Sequence, residues 1–121
     1  GVVFVSDVDG IPFSRWGPML ETCVVFPQKS NIEFVEVVDR QHLRVKVWER
    51  GVGPTLACGT GACAAVAVAI ALGKTQHQVE VKLPGGTLLI EQDEEGHMWM
   101  TGPAELVFKG SLEQPAPESR P

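Results

Sequence analysis

Alternation of apolar and polar residues organises the middle of the chain. From Ile32 to Val38 apolar and acidic residues alternate, and from His42 to Trp48 the residues Leu43, Val45 and Val47 fall on one side. A period of two marks a half-buried strand. The break at Asp39-Arg40-Gln41 predicts that the two runs form a hairpin. Val2 to Val5 opens the chain as a further strand. Gln78–Leu83, Thr87–Glu91, His97–Thr101 and Glu105–Phe108 are four more candidates, with turns at Pro84-Gly85-Gly86 and Asp93-Glu94-Glu95-Gly96. Two segments break the period. Asp7 to Thr22 holds a short helix with Pro12 near its start and Trp16 and Leu20 on one face. Gly61 to Leu72 is apolar on every side. Its length of about three turns and its alanine content favour helix over strand. Gly73 suits the C-terminal cap and Lys74 the negative end of the dipole. A helix apolar all round is expected to be buried all round. That places Ala65, Val66, Val68, Ala69 and Leu72 inside a wrapping of strands. The expected class is α+β, with strands wrapped around a central apolar helix.

Composition narrows the function classes. The 121 residues fit one small domain. Residues 1–112 read as that domain, and residues 113–121, rich in Pro, Glu and Ser, as a disordered tail. The formal charge is -5, and the ten Lys and Arg are scattered, which argues against a nucleic-acid partner. The longest apolar run, Ala62 to Leu72, is too short to span a bilayer, so no membrane partner is expected. Cys23, Cys58 and Cys63 are odd in number and lack metal-ligand spacing. His42, His77 and His97 are scattered, so no metal is expected. With no visible signal peptide, the thiols read as reduced and the location as cytoplasmic, or plastid stromal if a leader was removed.

The chemistry gathers between Glu49 and Ala65. An acid, a base and a thiol (Glu49, Arg50 and Cys58) precede Gly59-Thr60-Gly61 and the apolar helix. Cys58 then sits just before the first helical turn. Helix N-termini present unpaired N–H groups and the positive end of the dipole, which favours a thiolate. The amides of Gly59, Thr60 and Gly61 can hold a carboxylate. A bland reading stands beside each of these. Cys58 could be a small buried hydrophobe, and Glu49 and Arg50 a solvated strand end. Asn31 could simply cap a turn. Cys23 and Cys63 lie in apolar runs and read as structural.

The run from Glu49 to Ala64 resembles the second active-site motif of the diaminopimelate epimerase family. Asn31-Ile32-Glu33-Phe34-Val35, Val47-Trp48-Glu49-Arg50 and Leu83-Pro84-Gly85-Gly86 are similar to segments of the same family. The resemblance covers about Val2 to Lys109. It implies a cofactor-free isomerase of two similar barrel domains, each with one cysteine facing the substrate α-carbon. Cys58 would be the second of these. Gly59 and Thr60 would offer N–H groups to the α-carboxylate, Glu49 would take the α-ammonium, and Arg50 and Asn31 would hold the far end. The implied partner is a small amino-acid substrate, diaminopimelate.

Two departures qualify the resemblance. Pro54 stands where the family usually has Glu. The first-half cysteine with its Gly- and Asn-rich loop is absent, as is the Gly-Asn-Pro-His segment that normally precedes the first strand. The expectation is a C-terminal epimerase domain, inactive alone, whose N-terminal domain is missing. With that face uncovered the chain is expected to form a homo-oligomer. A proline racemase-like isomerase of the same fold, or a non-catalytic half-domain that binds a ligand or partner, stay open as alternatives.

Overall fold

Two β-α-β units joined by a hairpin build the molecule. The computed structural model describes residues 1–118. The first unit is β1 (Val2–Phe4), α1 (Phe13–Glu21) and β2 (Ile32–Asp39). The second is β3 (His42–Glu49), α2 (Gly59–Ala71) and β5 (Gln78–Leu83), with the short β4 (Gly53–Thr55) inserted before the helix. Two further strands follow, β6 (Gly86–Gln92) and β7 (Met98–Thr101). The sheet runs β1-β2-β3-β5-β6-β7, and β4 pairs beside β3. β1 is parallel to β2 and β3 is parallel to β5, while β2 and β3 are antiparallel. The strands of the second unit therefore run opposite to those of the first. Crossovers of one hand then put the two helices on opposite faces of the sheet.

That arrangement explains the burial of β2. Ile32, Phe34 and Val8 pack with Phe13, Trp16, Leu20 and Trp48 on the α1 side. The ring of Phe13 meets Phe34 and Trp48 edge-on, at centroid distances of 5.5 Å and 5.6 Å. Val35, Leu43, Val45, Val47, Val79, Val81, Leu83 and Ile90 pack on the α2 side against Ala62, Ala65, Val66 and Ala69. Each fully buried side chain of this size contributes roughly 1.5–3 kcal/mol. The predicted inward set of β3, Leu43, Val45 and Val47, is buried as its period requires. Gly73 ends α2 with φ +69°, a conformation glycine adopts without strain.

Three expectations need correction. The sheet is curled but not closed: its path ends at β1 and β7, and no pairing joins them among the described residues. Consequently α2 keeps an uncovered stripe. Leu72 is 60% exposed, Ala64 and Ala71 are exposed, and Val68 is half-buried. A helix without a polar face still has a wet one when the sheet does not reach round it. Lastly, Glu105–Phe108 forms no strand. Residues 102–118 have no regular secondary structure, and Leu106, Val107 and Phe108 are exposed. The apolar run Leu106–Phe108 pairs with no strand, although β1 and β7 each keep an unpaired edge among the described residues. The tail predicted from Glu113 extends past the described residues at positions 119–121. No helix among the described residues is long and apolar enough to cross a membrane.

Candidate functional site

The motif begins where β3 ends. Arg50, Gly51 and Val52 turn the chain, with Gly51 at φ +73°, and β4 folds back so that Glu49 pairs with Gly53 and Val47 with Thr55. Two side chains from outside the motif hold this turn. Glu21, at the end of α1, accepts the Trp48 indole N–H at 3.0 Å and the Gly51 amide at 2.8 Å. These two bonds, the amide first, hold the Glu21 carboxyl below its ordinary value. Asn31 Oδ1 accepts the Arg50 amide at 2.7 Å. The Arg50 guanidinium reaches back to the Gln28 carbonyl at 3.2 Å. The next stretch is held by the β5–β6 turn, where the Gly85 amide donates to the Leu56 carbonyl at 2.7 Å.

Cys58 is the N-cap of α2. Its backbone is extended, and its carbonyl accepts the Ala62 amide at 2.9 Å. The amides of Gly59, Thr60 and Gly61 precede that bond and have no carbonyl above them in the helix. The half-buried thiol makes no capping bond and lies 3.5 Å from Thr60 Oγ1. Cys63, one turn on, is a different thiol: burial pushes its pKa up. Met100 of β7 lies over Gly59, where an added Cβ would come within 2.8 Å of its sulfur.

Beside this helix end lies a cleft of about 340 Å³, lined by Gly1, Lys29, Ser30, Asn31, Glu33, Arg50, Thr60, Gly61 and Ala64. It unites three of the sequence-predicted residues: Asn31, Arg50 and Thr60. Glu49, Cys58 and Gly59 are not in its lining. Two cations, Lys29 and Arg50, line it, which suits an anionic ligand.

Two residues of the site carry no signal in the sequence reading. Glu21 sits on a nine-residue helix with no motif around it. Glu33 reads as one of the acidic positions of an alternating strand. In the fold it is 2% exposed, because α1 covers the opposite face of β2 and Glu33 turns toward α2. Its carboxyl lies against Gly61, a position only glycine leaves free, and Oε2 has no hydrogen-bond partner. Burial raises its pKa to about 7, and the Glu49 charge adds to this shift.

The family profile for diaminopimelate epimerase matches residues 1–107. A diaminopimelate epimerase of Synechococcus elongatus is 53% identical over 112 residues, which is 93% of this chain and 40% of that protein. One of Desulfitobacterium hafniense is 53% identical over 111 residues, 92% of this chain and 39% of its own length. The chain thus spans about two fifths of the curated relatives it matches, in their C-terminal part. Among solved structures, PhzF-family phenazine biosynthesis proteins share the fold. That of Bacillus anthracis has a TM-score of 0.58 at 17% identity, covering 82% of this chain and 33% of its own. That of Enterococcus faecalis has a TM-score of 0.60 at 13% identity, covering 78% and 34%. The chain belongs to the diaminopimelate epimerase family.

Proposed function

We propose that this chain is the second half of a cofactor-independent diaminopimelate epimerase, interconverting the LL and meso forms on the route to lysine and peptidoglycan. The observation that carries this is the position of Cys58. A free thiol caps a helix whose first residues border a cleft containing Asn31 and Arg50. In two-base epimerisation one thiolate removes the α-proton while an opposing thiol delivers a proton to the other face of the same carbon. Cys58 supplies one of these groups. The Gly59 and Thr60 amides receive the α-carboxylate, Glu49 the α-ammonium, and Arg50 with Asn31 the distal end. Two bonds support the distal assignment: Asn31 fixes the Arg50 backbone, and the guanidinium reaches across the cleft wall to Gln28.

The second proton-transfer group belongs to a first-half domain of similar architecture. This chain alone is therefore inactive, and it self-associates through apolar surface left uncovered. The test is α-hydrogen exchange of diaminopimelate in heavy water. The expected result is no exchange with the chain alone and exchange once a first-half domain is added, abolished again by Cys58→Ala. Exchange by the isolated chain that Cys58→Ala removes would show that half a site suffices. Exchange by the reconstituted pair that survives Cys58→Ala would remove Cys58 from the reaction.

A further inference from the structure

The end of α2 carries a group that none of these roles uses. Glu33 projects from β2 onto the third residue of the helix, and its two carboxyl oxygens are the atoms nearest to a Cβ built at Gly61. It is 2% exposed, and Oε2 is unpartnered. The same carboxyl lines the cleft together with Thr60 and Arg50. α2 has no acidic residue in its first turn and no charged residue anywhere along Gly59–Ala71, so Glu33 is the carboxyl that its N-terminal dipole meets. An anion on the Gly59 and Thr60 amides would share that dipole with Glu33. Two negative charges at one helix end repel, the more so because one of them, on Glu33, is removed from water.

We propose that Glu33 is a positioning residue of this anion cradle: its carboxyl group, seated against Gly61, holds a proton while an anion occupies the amides, so that above neutrality anion binding takes up a proton from solvent. This rests on reading Gly59 and Thr60 as an anion cradle. The charged groups that face Glu33 set the balance. On the β1 side the Gly1 carbonyl accepts the Glu33 amide at 2.7 Å and brings no side-chain charge. On the β3 side is Glu49, and on the cleft wall stand Lys29 and Arg50. The helix contributes no charged side chain. Burial already brings the Glu33 pKa to about 7, so both forms are accessible near neutrality and a bound anion shifts the balance toward the acid.

Sulfate is a suitable probe because it keeps its charge throughout pH 5.5–8.5. It is titrated into the full chain while the amide signals of Gly59, Thr60 and Gly61 are followed by NMR. In the wild type the sulfate dissociation constant should rise above neutrality, approaching tenfold per pH unit, the limit for one coupled proton. Glu33→Gln, neutral and of equal size, should lose that slope and bind at pH 8.5 as the wild type does at pH 5.5. A second measurement does not depend on that variant folding. The Glu33 carboxyl carbon of the wild type should titrate at higher pH with sulfate than without. Amides that respond to sulfate with no pH slope, with a slope that Glu33→Gln retains, or with a Glu33 carboxyl that sulfate does not move, would overturn the role of Glu33 and leave the cradle standing. Amides that ignore sulfate at both pH values would overturn the cradle itself, and this proposal with it.

Discussion

The two helices reach the same sheet by the same device and end in opposite situations. Each brings a glycine against a side chain of the sheet: Gly17 of α1 lies under the Trp48 indole, and Gly61 of α2 under the Glu33 carboxyl. α1 is amphipathic, with Phe13, Trp16 and Leu20 inward and Ser14, Arg15 and Met19 exposed. Its pattern states which side is wet. α2 is apolar throughout, and its pattern does not. Its inner face is sealed by Val35, Val45, Val81 and Ile90, while Ala64, Ala71 and Leu72 face solvent. The difference teaches that an all-apolar helix reports how much cover it can use, not how much this chain supplies. The seats differ in kind as well. Under α1 the contact is aromatic and serves packing. Under α2 it is a titratable carboxyl at the end of the helix that bears Cys58.

The largest effect should come from the aromatic seat. Phe34 is fully buried between β2 and α1, and Phe34→Ala should cost about 3–5 kcal/mol. Val66, fully buried on the other face, should cost about 2 kcal/mol when cut to Ala, because fewer atoms leave. Urea unfolding of both variants measures the ratio. Equal costs would mean that the two faces of the sheet are packed alike.

Next in size is the pH dependence of the polar seat. The Glu33 pKa is raised in the folded state from 4.5 to about 7, so between these values the native state binds the proton and the unfolded chain does not. Stability linked to this proton is complete below about pH 4.5 and falls as pH rises toward 7. Glu33→Gln removes the dependence. The variant should match the wild type near pH 4 and exceed it by on the order of 2 kcal/mol at pH 8. Denaturation at the two pH values checks the sign. A variant less stable than the wild type at pH 8 would show that Glu33 is favoured there as the anion.

Gly17→Ala should follow, at about 1–2 kcal/mol. A methyl group there displaces the Trp48 ring, whose indole N–H is tied to Glu21. Overpacking of this kind costs roughly 1–3 kcal/mol, and the better helix propensity of Ala returns up to about 1 kcal/mol. Loss of the Trp48–Glu21 bond would also free the Gly51 turn, so Trp48 fluorescence should change together with stability.

What the sequence made legible divides along physical lines. A period of two located β2, β3 and β5, and the bounds Gln78–Leu83 agree with the structure at both ends. Length and alanine content located α2. The three-residue β4 was not legible, because Gly53-Pro54-Thr55 has no period and exists only as a partner for β3. Parallel pairing of β1 with β2 leaves no trace in either strand. Glu105–Phe108 shows that a short apolar run is a weak strand signal: it stays coil although the sheet keeps unpaired edges at β1 and β7 among the described residues. In the site, Asn31 and Arg50 were paired by the resemblance and lie in one hydrogen bond. Glu33 was hidden because its alternation is that of a half-buried strand, and only the position of α1 makes both faces of β2 interior. The family assignment was legible from the motif alone, since its residue types and spacing are set by one helix end.

The smallest effect is the sharpest test of the opening contrast. Leu20 of α1 and Leu72 at the end of α2 are the same residue at opposite limits of cover: Leu20 packs into the aromatic cluster and Leu72 is 60% exposed. Leu20→Ser should cost about 1–2 kcal/mol, and Leu72→Ser should stay within about 0.5 kcal/mol. If the chain is monomeric under the conditions of measurement, both values are independent of protein concentration. Self-association that buries the outer face of α2 changes one of them. Its stabilisation grows with concentration by mass action, so the cost of Leu72→Ser would rise with protein concentration while that of Leu20→Ser would not. Light scattering on the same samples assigns the cause. A concentration-dependent Leu72 cost with an oligomeric wild type would show that a second copy supplies the cover that α2 lacks. A flat Leu72 cost with an oligomeric wild type would place the association elsewhere, with Leu106, Val107 and Phe108 the next surface to test. A flat cost with a monomeric wild type would mean that α2 keeps its apolar outer face in water, and would remove self-association from the reading of this chain.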